Sequence, residues 1–127
     1  MELIQWKEQI EKDEGVGVET SWEMIQNLDK AGMLRVEEID GKCLILYSVL
    51  PEFNQELALT EWLIYVIKEH RGDYRLLTKV RKFFEDKAVE LDCDVIKIGA
   101  NFGFKDDSFS KLLVRLGYKP DSYRKEI

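Results

Sequence analysis

Two periods of apolar residues run through this chain, and each predicts its own kind of element. In ELIQWKEQIEK, Leu3, Trp6 and Ile10 recur at helical spacing, and DEGVGVE then breaks the pattern with two glycines. TSWEMIQNLDKAG predicts a second helix. Thr20 with Glu23 reads as a capping box, Gly32 after Ala31 as a C-terminal stop, and Met24, Ile25, Leu28 and Ala31 as the buried stripe. MLRVEEID and CLILYSVL are strand-like runs joined through Asp40-Gly41, a pair suited to a tight hairpin. A third run, ELALTEWLIYVI, is rich in strand formers and pairs beside them. From Tyr74 to about Leu91 the period returns to 3.6, with Leu76, Leu77, Val80, Phe83, Phe84, Ala88 and Leu91 on one face. DVIKIGA is a short strand. DDSFSKLLVRLG is a helix capped by Asp107 or Ser108, faced by Phe109, Leu112, Leu113 and Leu116, and ended by Gly117; YKPDSYRKEI closes as a strand.

The resulting order is helix, helix, three strands, helix, strand, helix, strand. A meander followed by a strand-helix-strand unit predicts a mixed α+β fold, a mixed sheet with helices on its faces, in one domain over residues 1–127. Composition then narrows the function. A formal net charge of -6 repels phosphate backbones, so broad nucleic-acid binding is not expected; a cationic or neutral substrate or a basic protein partner fits better, and so does a surface charged only for solubility. The two cysteines, Cys43 and Cys93, lie apart from each other and from the single histidine, His70, so no metal site is expected. Both cysteines read as small buried residues. The first residues are neither basic nor continuously apolar, and no apolar run approaches the ~20 residues that span a bilayer. The expectation is a cytoplasmic protein without a membrane partner.

The stretch YVIKEHRGDYRLL carries the candidate chemistry. A strand ends, a charged turn holds Arg71 and Gly72, and a long helix begins. A helix N-terminus offers unpaired N–H groups and the positive end of the macrodipole, so such a turn suits an anion. Together with the order of elements and the closing LLVRLGYKPDSYRKEI, the hand-over LIYVIKEHRG resembles the GNAT superfamily of acyl-CoA N-acyltransferases, over roughly Met33 to Ile127. The ending SYRKEI is similar to the tails of small GNAT-like proteins of phage genomes.

That resemblance implies a mostly antiparallel GNAT-like sheet and acetyl-CoA, or coenzyme A, as cofactor. The pyrophosphate would sit on the amides of Arg71, Gly72, Asp73, Tyr74, Arg75 and Leu76. The pantetheine arm would bond the backbone of Tyr65, Val66 and Ile67, in a gap before DVIKIGAN, and Asn101 matches a family asparagine that binds the arm or orders a helix. Tyr74 and Leu76 stand where the family usually has glycines, and Leu113 where it often has a tyrosine acid; Tyr118, Tyr123 and Ser110 are candidate substitutes, Tyr118 first among them. Glu61 is the candidate base: it is the only charged residue between Leu57 and Ile67, and alternation places it with Leu57, Leu59, Leu63 and Tyr65 on a largely apolar face, where a carboxyl holds its proton longer. His70 reads as solvated, Trp6 and Trp62 as core. The implied activity is acyl transfer to an amine of a small molecule or protein. The alternatives are a degenerate GNAT-fold binding module and an acidic protein that titrates a basic host protein. Either way the chain is compatible with a homodimer.

Overall fold

The structure is a computed structural model that describes residues 1–99, 108–119 and 125. The first helix, α1 (Leu3–Glu14), starts where Glu2 and Gln5 cap each other reciprocally and ends at Gly15, whose φ of 69° places it in the left-handed region. In α2 (Glu19–Lys30) the expected capping box does not form: Val18 is the N-cap, without a side-chain bond, and Thr20 lies inside the helix. The stripe is also rotated. Trp22 is the buried residue, Ile25 and Leu28 pack partly beside it, and Met24 and Ala31 are exposed. A tryptophan buries more apolar area than a methionine, and its position sets which face turns inward. Gly32 does end the helix. Its φ is 71°, and the Met33 N–H reaches back to the Leu28 carbonyl at 3.0 Å. Gly32→Ala puts a Cβ into the left-handed region, and is expected to cost about 1 kcal/mol; the midpoint of urea unfolding measures it.

The strands are β1 (Arg35–Ile39), β2 (Cys43–Pro51), β3 (Leu57–Val66) and β4 (Val95–Lys97), paired in that order. The first two pairings are antiparallel and β3–β4 is parallel, which gives the mixed sheet expected from the sequence. Asp40 and Gly41 both have positive φ, 55° and 68°, as a two-residue hairpin of this hand requires. A single 3-10 turn, Lys68–His70, leads from β3 towards α3 (Tyr74–Glu90), and α4 (Ser108–Arg115) follows β4. The segments expected to hold Asp107 and the final strand lie outside the described residues.

Helices cover both faces of the sheet. On one face α3 brings Leu76, Leu77, Val80, Phe84 and Ala88, and α4 brings Leu113, onto Cys43, Ile45, Tyr47, Leu59, Ile64 and Val66. On the other, Trp6, Ile10 and Trp22 of α1 and α2 pack on Leu44, Leu46 and Tyr65. Cys43 is fully buried, its thiol pushed up to about 12 by that burial; Cys93 is half-buried just beyond α3.

One irregularity matters for function. The β2–β3 register steps between Leu46, opposite Leu63, and Tyr47, opposite Glu61, so Trp62 is the extra residue of a β-bulge. The bulge reverses the alternation. Glu61 therefore shares its face with Leu59, Ile64 and Val66, not with Leu63 and Tyr65 as simple alternation predicts. Trp62, expected in the core, is 46% exposed, and its Nε1 donates to the buried Ser48 Oγ at 3.0 Å.

Candidate functional site

The parallel seam between β3 and β4 is short. Ala58, Leu59 and Thr60 pair with Val95, Ile96 and Lys97, and the pairing stops there. Beyond Thr60, β3 continues to Val66, and among the described residues β2 alone is its partner there. The Ile67 N–H bonds to the Lys42 carbonyl at 2.9 Å, so the antiparallel ladder turns the polar groups of Ile67 and Tyr65 towards β2, and those of Ile64 and Val66 towards the open side. Of the three backbone positions expected to bind a pantetheine arm, Val66 is the one that faces the opening, and its carbonyl already accepts the Arg71 Nε at 3.1 Å.

Glu61 stands at the mouth of this opening. Its Oε2 accepts the Gly99 N–H, just past β4, at 3.0 Å. A Cβ added at Gly99 would come within 3.2 Å of that same oxygen. The carboxyl thus links the two strands across the gap where their own ladder has ended. Burial pushes Glu61 up to about 7, against the Gly99 bond, which pulls the other way. A carboxyl so placed exchanges its proton near neutrality. Gly99 carried no signal in the sequence, because the contact spans 38 positions and depends on where β4 ends.

Two clefts adjoin Trp62. One, of about 460 Å³, is lined by Ser48, Thr60, Glu61 and Trp62 among others. The second, of about 250 Å³, lies under α2 and is almost wholly apolar, with Trp22, Ile25, Leu63 and Tyr65 in its walls. Both volumes suit a small organic group.

The strand-to-helix turn has a different character. Gly72 has φ 93° and open space where a Cβ would be. Asp73 is the N-cap of α3, and its Oδ1 accepts the N–H groups of Arg75 at 3.0 Å and Leu76 at 3.3 Å. Tyr74 is 62% exposed, and Leu76 is buried in the core, so the Leu76 methyls do not stand before the turn. Arg71 reaches back to α1: its Nη2 donates to Glu14 Oε1 at 2.5 Å, and its guanidinium lies 5.3 Å from the centre of the Tyr65 ring. The Tyr65 hydroxyl sits between Asp13 Oδ2 and Glu14 Oε1, 3.0 Å from each, and the Lys68 N–H also donates to Asp13 at 3.0 Å. Arg71 holds Glu14 below the usual carboxylate range; burial, followed by the two carboxylates, pushes Tyr65 up. In the sequence Asp13 and Glu14 belong to a stretch that only marks a helix end. Their role as anchors for Tyr65 and Arg71 appears once α1 is seated on the sheet.

Tyr118 follows α4 and packs against the cluster under α3, beside Arg81 and Glu85. Burial raises its hydroxyl, which has no hydrogen-bond partner among the described residues. Asn101 and Tyr123 lie outside the described residues. Leu113, at the position of the family's tyrosine, is core. His70 is half-buried in the 3-10 turn, with Nε2 3.6 Å from Glu69. Among the described residues no cluster of three or more His, Cys, Asp or Glu side chains could hold a metal ion, and no helix is long and apolar enough to cross a membrane.

Solved structures identify the fold. The chain superposes on a ribosomal-protein-alanine N-acetyltransferase from Brucella melitensis with a TM-score of 0.53 at 22% identity, over 72% of this chain and 67% of that one. An aminoglycoside 6'-N-acetyltransferase from Acinetobacter haemolyticus matches at TM-score 0.59 and 16% identity, over 98% and 92% of the two chains. A transcriptional regulator from Bacillus halodurans matches at TM-score 0.62 and 14% identity, over 85% and 75%. No protein-family model and no curated protein matches the sequence. The fold is that of the GNAT acetyltransferases, as the strand-turn-helix pattern around Arg71 implied.

These observations test the fold's usual cofactor in two places. The open seam, with Val66 turned towards it and Glu61 at its mouth, fits an extended thioester arm. The N-terminus of α3 does not fit a diphosphate, because Asp73 already takes the amides of Arg75 and Leu76.

Proposed function

We propose that this protein is an N-acyltransferase that moves an acyl group, acetyl from acetyl-CoA being the simplest, from a pantetheine thioester to an amine of a small molecule or protein. The observation that carries the reading is the opening between β3 and β4 with a shielded carboxyl, Glu61, at its mouth. The thioester supplies the activated acyl group; the chain supplies the rest. Glu61 takes the proton from the incoming ammonium, directly or through one water, as a base poised near neutrality does best. The edge of β3 at Val66 aligns the arm, and the cleft lined by Glu61 and Trp62 gives the acceptor room. Tyr118, whose shielded hydroxyl is uncommitted among the described residues, is the proposed proton donor.

Thiol release from acetyl-CoA in the presence of a panel of primary amines tests the reading. Amine-dependent release above the uncatalysed rate is expected. A flat response, with no binding of acetyl-CoA at millimolar concentration by calorimetry, rejects it.

A second reading has specific support: a GNAT-fold binding module without catalysis. Leu113 is core at the tyrosine position, and Asp73 occupies the turn. Fold-level likeness to a transcriptional regulator is compatible with it. The same thiol-release assay separates the two.

A further inference from the structure

We propose that Asp73 closes the N-terminus of α3 to phosphate, so that a thioester donor is held by its pantetheine arm and not by its diphosphate. The closure stands on hydrogen bonds alone; the statement about the donor rests on the acyltransferase reading above.

Room at the turn is not the obstacle. Gly72 leaves open space, Tyr74 is largely exposed, and the Leu76 side chain is turned into the core. The obstacle is that a carboxylate is already bound. One Asp73 oxygen accepts from both the Arg75 and Leu76 N–H groups, two of the donors a helix N-terminus would present to an anion. A diphosphate arriving there would have to displace these bonds and would then face a fixed like charge at close range.

One cation of the turn, Arg71, is committed elsewhere. It is spent on the Val66 carbonyl, on the Glu14 carboxylate and on the face of Tyr65, and so braces α1 against the end of β3. Tyr65 and Lys68 add bonds to Asp13 in the same brace. Arg71 thus ties two layers of the fold together, while two of the amides expected for a diphosphate carry an internal anion.

The test uses the full ¹⁵N-labelled chain and inorganic pyrophosphate at constant ionic strength. In the unsubstituted protein the amide signals of Arg75 and Leu76 are expected to show no saturable shift up to several millimolar. In Asp73→Ala, which removes the carboxylate, and in Asp73→Ser, which keeps a neutral cap if the alanine form unfolds, saturable shifts at those amides are expected. Saturable shifts in the unsubstituted protein, or none in either variant, overturn the closure.

Calorimetry with CoA and with pantetheine then addresses the donor. Dissociation constants within about threefold of one another are expected for the unsubstituted protein, with CoA gaining tenfold over pantetheine in Asp73→Ser. A tenfold preference for CoA before substitution overturns the claim about the arm. Binding of neither compound defeats the acyltransferase reading and the arm claim with it, while the pyrophosphate titration still decides the closure.

Discussion

Glu61→Gln is expected to lower kcat/KM for acyl transfer by about 10²–10⁴-fold, the range in which a positioned general base contributes. It is also expected to abolish the rise of kcat/KM with pH, which in the unsubstituted protein should level off above about 7, where the Glu61 carboxyl has lost its proton. The same substitution should make the fold more stable, and the sign follows from linkage. The folded-state pKa of Glu61 is raised from 4.5 to about 7, so the folded protein keeps this proton to higher pH than the unfolded chain does. Stability is therefore lost as pH rises from about 4.5 to 7, and above that window the buried carboxylate costs on the order of 2–3 kcal/mol. A neutral glutamine can still accept the Gly99 N–H and escapes that cost. Loss of activity together with gain of stability above pH 7 distinguishes a catalytic group from a structural one. Activity within threefold of the parent would show that Glu61 is not the base.

The fold was legible where local chemistry decides it. Asp40-Gly41 specifies its own turn, Gly32 its own helix end, and the apolar stripe of α3 recurs from Leu76 to Ala88 with the period of a helix. The site was legible in part, for a physical reason. Glu61 stands out in any reading because it is a lone charge in an apolar run. Its face, however, depends on a bulge, and a bulge is a disagreement between two strands that neither strand reveals alone. The Gly99 donor, the Asp13 and Glu14 anchors of Tyr65 and the Arg71–Glu14 pair are all contacts between residues 38 to 57 positions apart. In the sequence Asp73 is one of the six residues, Arg71 to Leu76, whose amides the resemblance assigns to a pyrophosphate. That its carboxylate takes the two amides itself depends on the start of α3, which is set by packing of the helix on the sheet.

Phe84→Ala is expected to have the largest effect on stability, a loss of about 3–5 kcal/mol. Phe84 is fully buried between α3 and the sheet, among Ile45, Tyr47, Leu59 and Ile64. It meets Phe83 edge-to-face at 5.4 Å, and Phe83 meets Tyr47 in the same manner at 5.4 Å, so removing one ring loosens a chain of aromatic contacts that fastens α3 to β2. A domain of this size has roughly 5–15 kcal/mol in total, so the variant should lie close to its unfolding threshold at physiological temperature. Phe53 is the control. It stands wholly exposed between β2 and β3, and its replacement by alanine should change stability by less than about 0.5 kcal/mol. Urea unfolding of the two variants, followed by circular dichroism, measures both. A loss below about 1 kcal/mol for Phe84→Ala would mean that α3 is not seated on the sheet as described. The turn at Gly72 and the open end of β3 would then lose the support that holds them opposite each other, and Val66 and Asp73 would no longer have the fixed geometry that lets one meet a pantetheine arm and the other turn a phosphate away.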